Sequence, residues 1–297
     1  PMSYDSDTLR RLNALTTDFY AQKAASFSAT RQAPWDGWDR ALAAVAAADP
    51  DLLGRPLRLL DLGCGNLRFE RFLAERSAGP LSVIALDNCG PLVAAGTPHA
   101  GEDSRADAGA GDGKGTTSRG AQTARPAETA QHVPAPAPVT LEFRSLDIAD
   151  ALIDDDLERH LPLGTCDMAA AFGFMHHLAS PAQRRALLDG LAKAVRPGGF
   201  LLVSFWQFLR DGRIAAKAAA VTDRGRETHG LPAFAPGDYL LGWQHAEDVY
   251  RFCHHATDGE IDGLVAGFSL PCREIIRFSA DGRHGNLNRY VVLQRLL

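Results

Sequence analysis

Leu57-Arg-Leu-Leu-Asp-Leu-Gly-Cys-Gly-Asn-Leu67 decides how this chain is read. It is an apolar run that ends on an acid and passes straight into two glycines. A parallel strand buried on both faces has this near-continuous apolar character. Glycines just after such a strand permit a tight turn and close approach of the backbone to a ligand. A second apolar run, Leu81-Ser-Val-Ile-Ala-Leu86, follows and ends at Asp87. An acid at the tip of the second strand is where a ribose hydroxyl pair is held. The pattern predicts a nucleoside-containing cofactor lying across the carboxyl ends of a parallel sheet.

The glycine spacing narrows the cofactor. A dinucleotide site needs Gly-x-Gly-x-x-Gly, because a pyrophosphate must sit on the helix N-terminus. Here the run is Gly63-Cys64-Gly65-Asn66-Leu67-Arg68, so that fingerprint fails. The Asp-Leu-Gly-Cys-Gly-Asn form resembles motif I of the class I S-adenosylmethionine (SAM) methyltransferases, with Leu67 where a third glycine is usual. The resemblance implies SAM as cofactor, bound by Asp61, Gly63, Cys64, Gly65 and Asn66, with Asp87 and Asn88 extending the rim.

Outward from this motif, strands and helices alternate. Residues 7–48 read as two helices, the second from Trp38 to Ala48 and stopped at Asp49-Pro50. A helix is expected from Asn66 to Arg76. Further strands are expected over Thr140–Leu146, Cys166–Phe172 and Phe200–Trp206. The helix before the last of these has a clear start: Ser180 as cap, Pro181 at its first position and Gln183 as capping-box partner. It stops at Arg196-Pro-Gly-Gly199. A helix near 258–267 then leads to Cys272–Ser279 and Asn288–Arg295, which read as an antiparallel hairpin about Asp281-Gly282. The expected fold is α/β: a Rossmann-like, seven-stranded class I methyltransferase sheet, mostly parallel, with an antiparallel C-terminal hairpin strand. Residues 1–50 form a helical N-terminal lid and 51–297 the methyltransferase domain, with a substrate cap over 207–257. The stretch 97–138 is almost free of large apolar residues and closes on Pro134-Ala-Pro-Ala-Pro138, so it is expected to be a disordered insertion.

Composition sets outer limits. With 297 residues, 45% hydrophobic and 23% charged, the chain is an ordinary globular one. No apolar run reaches membrane-span length. The five cysteines include no CxxC pair, and neither they nor the start suggest secretion, so a cytoplasmic protein is expected. A net charge of −5 argues against strong unaided nucleic-acid binding.

The remaining candidate residues sit at strand ends. Asp147, with Ile148 beside it, is placed to accept a hydrogen bond from an adenine amino group, or to cap a helix. Phe172-Gly173 and the following Phe-Met-His-His lie after the fourth strand, where this fold faces the transferred methyl. Adjacent histidines cannot point the same way on one strand or helix, so one is expected in the pocket and the other outside. No metal is expected, because no carboxylate or cysteine lies at ligand spacing. Methyl transfer needs alignment, water exclusion and a deprotonated acceptor. A carboxylate is already ionised near neutral pH, so the absence of an obvious acid–base pair is compatible with esterification.

A closer resemblance covers most of the chain outside 97–138. Phe19-Tyr-Ala-Gln-Lys-Ala-Ala-Ser-Phe-Ser-Ala-Thr-Arg-Gln-Ala-Pro-Trp35 resembles the N-terminal signature of the tRNA wobble-uridine (5-carboxymethyluridine) methyltransferases. His176-His-Leu-Ala-Ser-Pro-Ala-Gln-Arg-Arg185, Arg251-Phe-Cys-His-His-Ala-Thr-Asp-Gly-Glu260 and Gly285-Asn-Leu-Asn-Arg-Tyr-Val-Val resemble three further segments of that family. Tyr250 and Cys253 depart from it. The resemblance implies that Arg31 and Trp35 close over the cofactor. It puts His177 and Arg185 on the catalytic acceptor side, and Trp206, Arg251 and His254 at the substrate. It implies a tRNA carboxymethyl acceptor and a small activator subunit as partner. Two alternatives stay open: a small-molecule O- or N-methyltransferase, and a non-catalytic SAM-binding regulatory subunit. The basic stretch 205–230 (Arg210, Arg213, Lys217, Arg224, Arg226) reads as a solvated surface that can also face phosphates.

Overall fold

The computed structural model describes residues 4–96, 138–243 and 248–297. These residues belong to one compact unit built from the segments on either side of 98–136. The expected insertion over 97–138 lies, apart from Pro138, outside the described residues.

Seven strands form the central sheet: β1 (Leu57–Leu62), β2 (Leu81–Asp87), β3 (Val139–Ser145), β4 (Cys166–Ala171), β5 (Val195–Trp206), β8 (Cys272–Ala280) and β9 (Asn288–Arg295). Their order is β3-β2-β1-β4-β5-β9-β8. β1 to β5 pair in parallel, and β9 runs antiparallel to both β5 and β8. The order reverses at β1 and β4, which is where an open α/β sheet leaves a crevice for ligands. A separate two-stranded antiparallel sheet, β6 (Asp238–Leu241) and β7 (Arg251–His254), stands in the segment expected to be a cap.

Period-two alternation gives the sheet two buried faces. Leu60, Leu62, Ile84 and Leu86 pack in one cluster under α5 (Ile148–Ile153), α6 (Pro181–Ala194) and α8 (Asp258–Ala266). Leu57, Leu59, Val83 and Ala85 pack on the other face with α2 (Asp36–Ala48) and α3 (Arg68–Ala74). Burial of these apolar side chains is the main stabilising term, at about 1.5–3 kcal/mol for each fully buried Leu, Ile or Val. The first helix, α1 (Ser6–Ala29), packs on β7, on α4 (Gly90–Ala94) and on α5. Its Thr16 hydroxyl accepts the Phe252 amide at 3.0 Å. The longest helix of the cap segment, α7 (Gly212–His229), packs on β6.

Three of the boundaries that differ from the sequence reading have a local cause. Leu67 takes the left-handed conformation (φ 56, ψ 32), so α3 starts at Arg68 rather than Asn66. β5 begins at Val195, because Gly198 (φ 80) bends the chain while Val195 still pairs with Cys166 across a register shift. The third strand lies one residue earlier than expected, at Val139–Ser145, which leaves Asp147 free to cap α5. The capping box of α6 is present as read: Ser180 Oγ accepts the Gln183 amide at 3.0 Å, and Gln183 Oε1 accepts the Ser180 amide at 3.1 Å.

Candidate active site

A cavity of about 320 Å³ opens at the carboxyl ends of β1, β2 and β4, under α1. Gly63 (φ 74) and Gly65 (φ 56), both left-handed, form its floor. Gly63 is indispensable there, since a Cβ would stand 2.6 Å from the Phe174 ring. Asp87 organises this loop. Its carboxylate accepts the Gly65 amide at 2.9 Å and the Cys89 amide at 2.8 Å. Burial nevertheless raises its pKa, against the lowering effect of those amides. Asn66 is buried and donates to Ser28 Oγ and the Arg31 carbonyl, so it ties the loop to the end of α1.

Asp147 is the helix cap that its position suggested, and it lines the cavity as well. It caps α5 through the Asp150 amide at 3.0 Å. Asn88 donates to it at 2.8 Å and Asn13 at 2.9 Å. Asp61, Cys64, Ile148, Phe172, Gly173 and Trp35 also line the cavity. Gly173 (φ 67) leaves room for Trp35, whose ring a Cβ would approach to 3.0 Å.

The far side of the cavity is aromatic and cationic. Trp206, Tyr20 and Phe27 line it with Arg31 and Arg251. Arg251 is 5% exposed, and its Nε has no hydrogen-bond partner. Its guanidinium lies 4.7 Å from the Phe19 ring centre and 5.3 Å from that of Trp206. Arg31 covers the Phe27 ring at 3.7 Å. Burial, then the neighbouring charge of Arg251, brings Arg31 down to about 10. Among the described residues no carboxylate forms an ion pair with either arginine.

Several expected residues stand elsewhere. Arg185 donates to the Gly263 and Leu264 carbonyls of α8 at 2.9 and 3.5 Å and does not reach the cavity. It joins two helices, and its catalytic assignment is corrected. His254 is also outside: Nδ1 meets Asp238 at 2.5 Å and Nε2 meets Glu260 at 2.7 Å, so both ring nitrogens are taken up in a buried ion cluster. His177 does line the cavity, but Nδ1 bonds the Phe252 carbonyl and Nε2 the Tyr20 hydroxyl, each at 2.9 Å. Burial, then Arg251, lowers it to about 3 and keeps it neutral. Its evident job is to fix the Tyr20 hydroxyl, which in turn accepts from Arg251 at 3.2 Å.

Both histidines face the cavity, against the expectation that only one does. Met175–His177 is a 3-10 turn, which is neither strand nor α-helix, and the two rings lie 4.0 Å apart. The argument against a metal is corrected in the same place. β7 brings Cys253 to the histidines, and one ligand atom from each of His176, His177 and Cys253 falls within 4.8 Å of the others. His177 has both nitrogens bonded within the protein, and the cationic Arg251 sits beside Cys253, whose thiol burial pushes up to about 12.

Sequence reasoning missed Tyr20, Asn13, Phe27, Glu70 and Asp281. Tyr20 and Phe27 stood inside the quoted N-terminal signature without a role. Asp281 accepts from Tyr290 at 2.5 Å, from Asn288 at 2.8 Å and from the Gly37 amide at 3.1 Å, so it pins α2 to the hairpin turn. Nothing local in the sequence announces that contact.

A family model described as "Methyltransferase domain" matches residues 30–257. The chain belongs to the methyltransferase-domain family. Its sheet has the class I methyltransferase fold. Solved structures carry the same fold. A SAM-dependent methyltransferase from Methanosarcina mazei is similar at a TM-score of 0.50 and 16% identity, over 82% of this chain and 93% of that one. The magnesium protoporphyrin IX methyltransferase of Synechocystis PCC 6803 with bound SAH is similar at 0.52 and 15% identity, over 95% and 99%. A protein from Pyrococcus horikoshii OT3 gives 0.52 at 11% identity, over 99% and 100%. No curated protein matches the chain. Among the described residues, no helix of this methyltransferase is long and apolar enough to cross a membrane.

Proposed function

We propose that this methyltransferase esterifies a carboxylate, with the carboxymethyl group of a tRNA wobble uridine as its acceptor. The observation that carries this reading is Arg251, a buried guanidinium without a carboxylate partner among the described residues, with Arg31 beside it. Leaving a charge unpaired in the interior costs several kcal/mol. Cation–π contacts offset part of that, at about 0.5–2 kcal/mol each. An anionic acceptor supplies the missing partner.

In this reading SAM lies over Gly63–Gly65, with its ribose at Asp87, its adenine near Asp147 and Ile148, and Trp35 and Phe172 against its apolar parts. Asp61 faces the amino-acid end, and α1 acts as the lid. Arg251 and Arg31 align the acceptor carboxylate, and Trp206 and Tyr20 exclude water. SAM would supply an electrophilic methyl group to a carboxylate oxygen, and its sulfur would keep the electrons of the broken C–S bond. No general base is required, since the acceptor is ionised beforehand.

The enclosure of the cationic side by Tyr20, Phe27 and Trp206 supports a second reading, in which the acceptor is a small aromatic or heterocyclic carboxylic acid. Labelled SAM incubated with the enzyme and tRNA carrying carboxymethyluridine, and separately with a metabolite extract, decides between them. Base-labile label in the tRNA is the expected result. Label confined to the extract makes the small-molecule reading correct. Label in neither fraction, with or without an added activator subunit, leaves a non-catalytic SAM-binding subunit.

A further inference from the structure

Glu70 lies on the buried face of α3 with Phe69, Phe72 and Leu73, at 5% exposure. Asp61, at 3%, faces it from β1 and lines the cavity. Asp61 Oδ1 and both Glu70 oxygens are buried without a donor. No described cation pairs with either carboxyl. Arg71, the nearest on α3, is committed to the Asn66 and Gly96 carbonyls at 2.9 and 2.6 Å. A carboxylate in such a place is costly unless it is neutralised. Two of them side by side cannot both ionise cheaply, because like charges at close range push one pKa up.

We propose that Glu70 is a positioning residue that acts through Asp61. The two carboxyls share one proton in the free enzyme and release it to solvent when the cationic donor binds. The shared proton gives each carboxyl the hydrogen bond that neither finds elsewhere. The α-ammonium and sulfonium of SAM then favour the fully ionised pair, so donor binding and proton release are linked. This rests on the placement of the amino-acid end of SAM at Asp61.

The surroundings act in the same direction. Burial raises Asp61 well above the usual carboxylate range, and the Glu70 and Asp87 charges add to that. Burial likewise raises Glu70, and hydrogen bonding, then Arg71, lower it again, which leaves it at about 7. Asp87 on β2 is the third acid facing the pair, and burial pushes the Cys64 thiol up, so Cys64 contributes no charge. Arg71 is the cation that acts on Glu70.

Calorimetric titration of the full chain with SAM between pH 6 and 8, in buffers of different ionisation enthalpy, tests this. The wild type is expected to release up to one proton per SAM bound. Affinity then rises by up to about tenfold per pH unit where the pair titrates. Glu70→Gln donates an amide hydrogen to Asp61 and leaves it ionised, so release and pH slope are lost while SAM still binds. Should the glutamine variant not fold, Glu70→Leu, which suits the apolar face of α3, removes the second carboxyl and its charge, so the proton release and pH slope move to lower pH. SAM binding to the wild type with no proton release, or an unchanged slope in a folded variant, overturns the role of Glu70 alone. An absence of SAM binding to the wild type overturns the donor placement itself.

Discussion

Leu67 carries a backbone cost that its side chain offsets. A left-handed non-glycine residue is strained by roughly 1–2 kcal/mol, while a buried leucine returns about 1.5–3 kcal/mol. Leu67 is 3% exposed, so burial wins. Truncating the side chain removes the gain and leaves the strain. Leu67→Gly is therefore expected to be about 1 kcal/mol more stable than Leu67→Ala, the reverse of their order in a helix. Urea unfolding of the two variants checks this, and equal midpoints would mean that the backbone is unstrained. Arg251 has the opposite character in the proposed function, where it costs stability and serves the acceptor. Arg251→Met removes an unpaired charge and keeps most of the volume. The expected outcome is unchanged or raised thermal stability together with an acceptor KM at least about tenfold higher, equivalent to about 1.4 kcal/mol of lost binding. A parallel loss of stability and activity would assign Arg251 to the fold instead.

At the scale of elements, His254 couples three of them. It is held between Asp238 of β6 and Glu260 of α8, and Arg184 of α6 pairs with Glu260 at 2.8 Å. Tyr4, just before α1, donates to Asp238 at 2.7 Å. Burial works against a charged His254, but the bonds to Asp238 and Glu260 outweigh it and raise its pKa above 6.5. Glu260 moves the other way: burial raises it, and His254 and Arg184 lower it by more. A raised histidine contributes stability that is complete below its unfolded pKa and fades as pH climbs through its folded value. A lowered carboxylate contributes above its unfolded pKa and fails as pH falls through its folded one. Stability is thus expected to decline above about pH 6.5. His254→Gln should flatten that decline, as read from denaturation midpoints between pH 6 and 9. A wild-type curve that is flat over this range would leave His254 neutral and the cluster uncharged.

At the scale of the whole molecule, the cavity is closed by parts distant in sequence: α1, the loop after β1, the turn after β4, β7 and the hairpin of β8 and β9. The family match begins at residue 30, so the wall supplied by Tyr20 and Phe27 of α1 precedes it. A ligand that binds only the assembled molecule stabilises all of these parts together. SAM at one hundred times its Kd is expected to add about 2.7 kcal/mol. That raises the melting midpoint by several degrees in a single transition. Two separate transitions, with only one responding to SAM, would show that α1 and the cap fold independently of the donor site.

The sequence by itself determined the sheet and the half of the cavity built on the loop after β1. Both follow from local patterns: apolar runs that end in acids, glycines at the turn after β1, and a capping box at the start of α6. Each of these acts within a few residues, so each is written in consecutive letters. Of the residues expected on the acceptor side, Trp206, Arg251 and His177 line the cavity, and tertiary structure alone decided that Arg185 and His254 do not. Arg185 and His254 carried the right chemistry in the right segments, yet packing turned them toward α8 and β6. The pairing of Glu70 with Asp61 joins a helix to a strand, and the convergence of Cys253 with His176 and His177 spans some 75 residues. Such contacts arise where the packing of distant elements brings side chains together, and no short stretch of sequence encodes which neighbour each one meets.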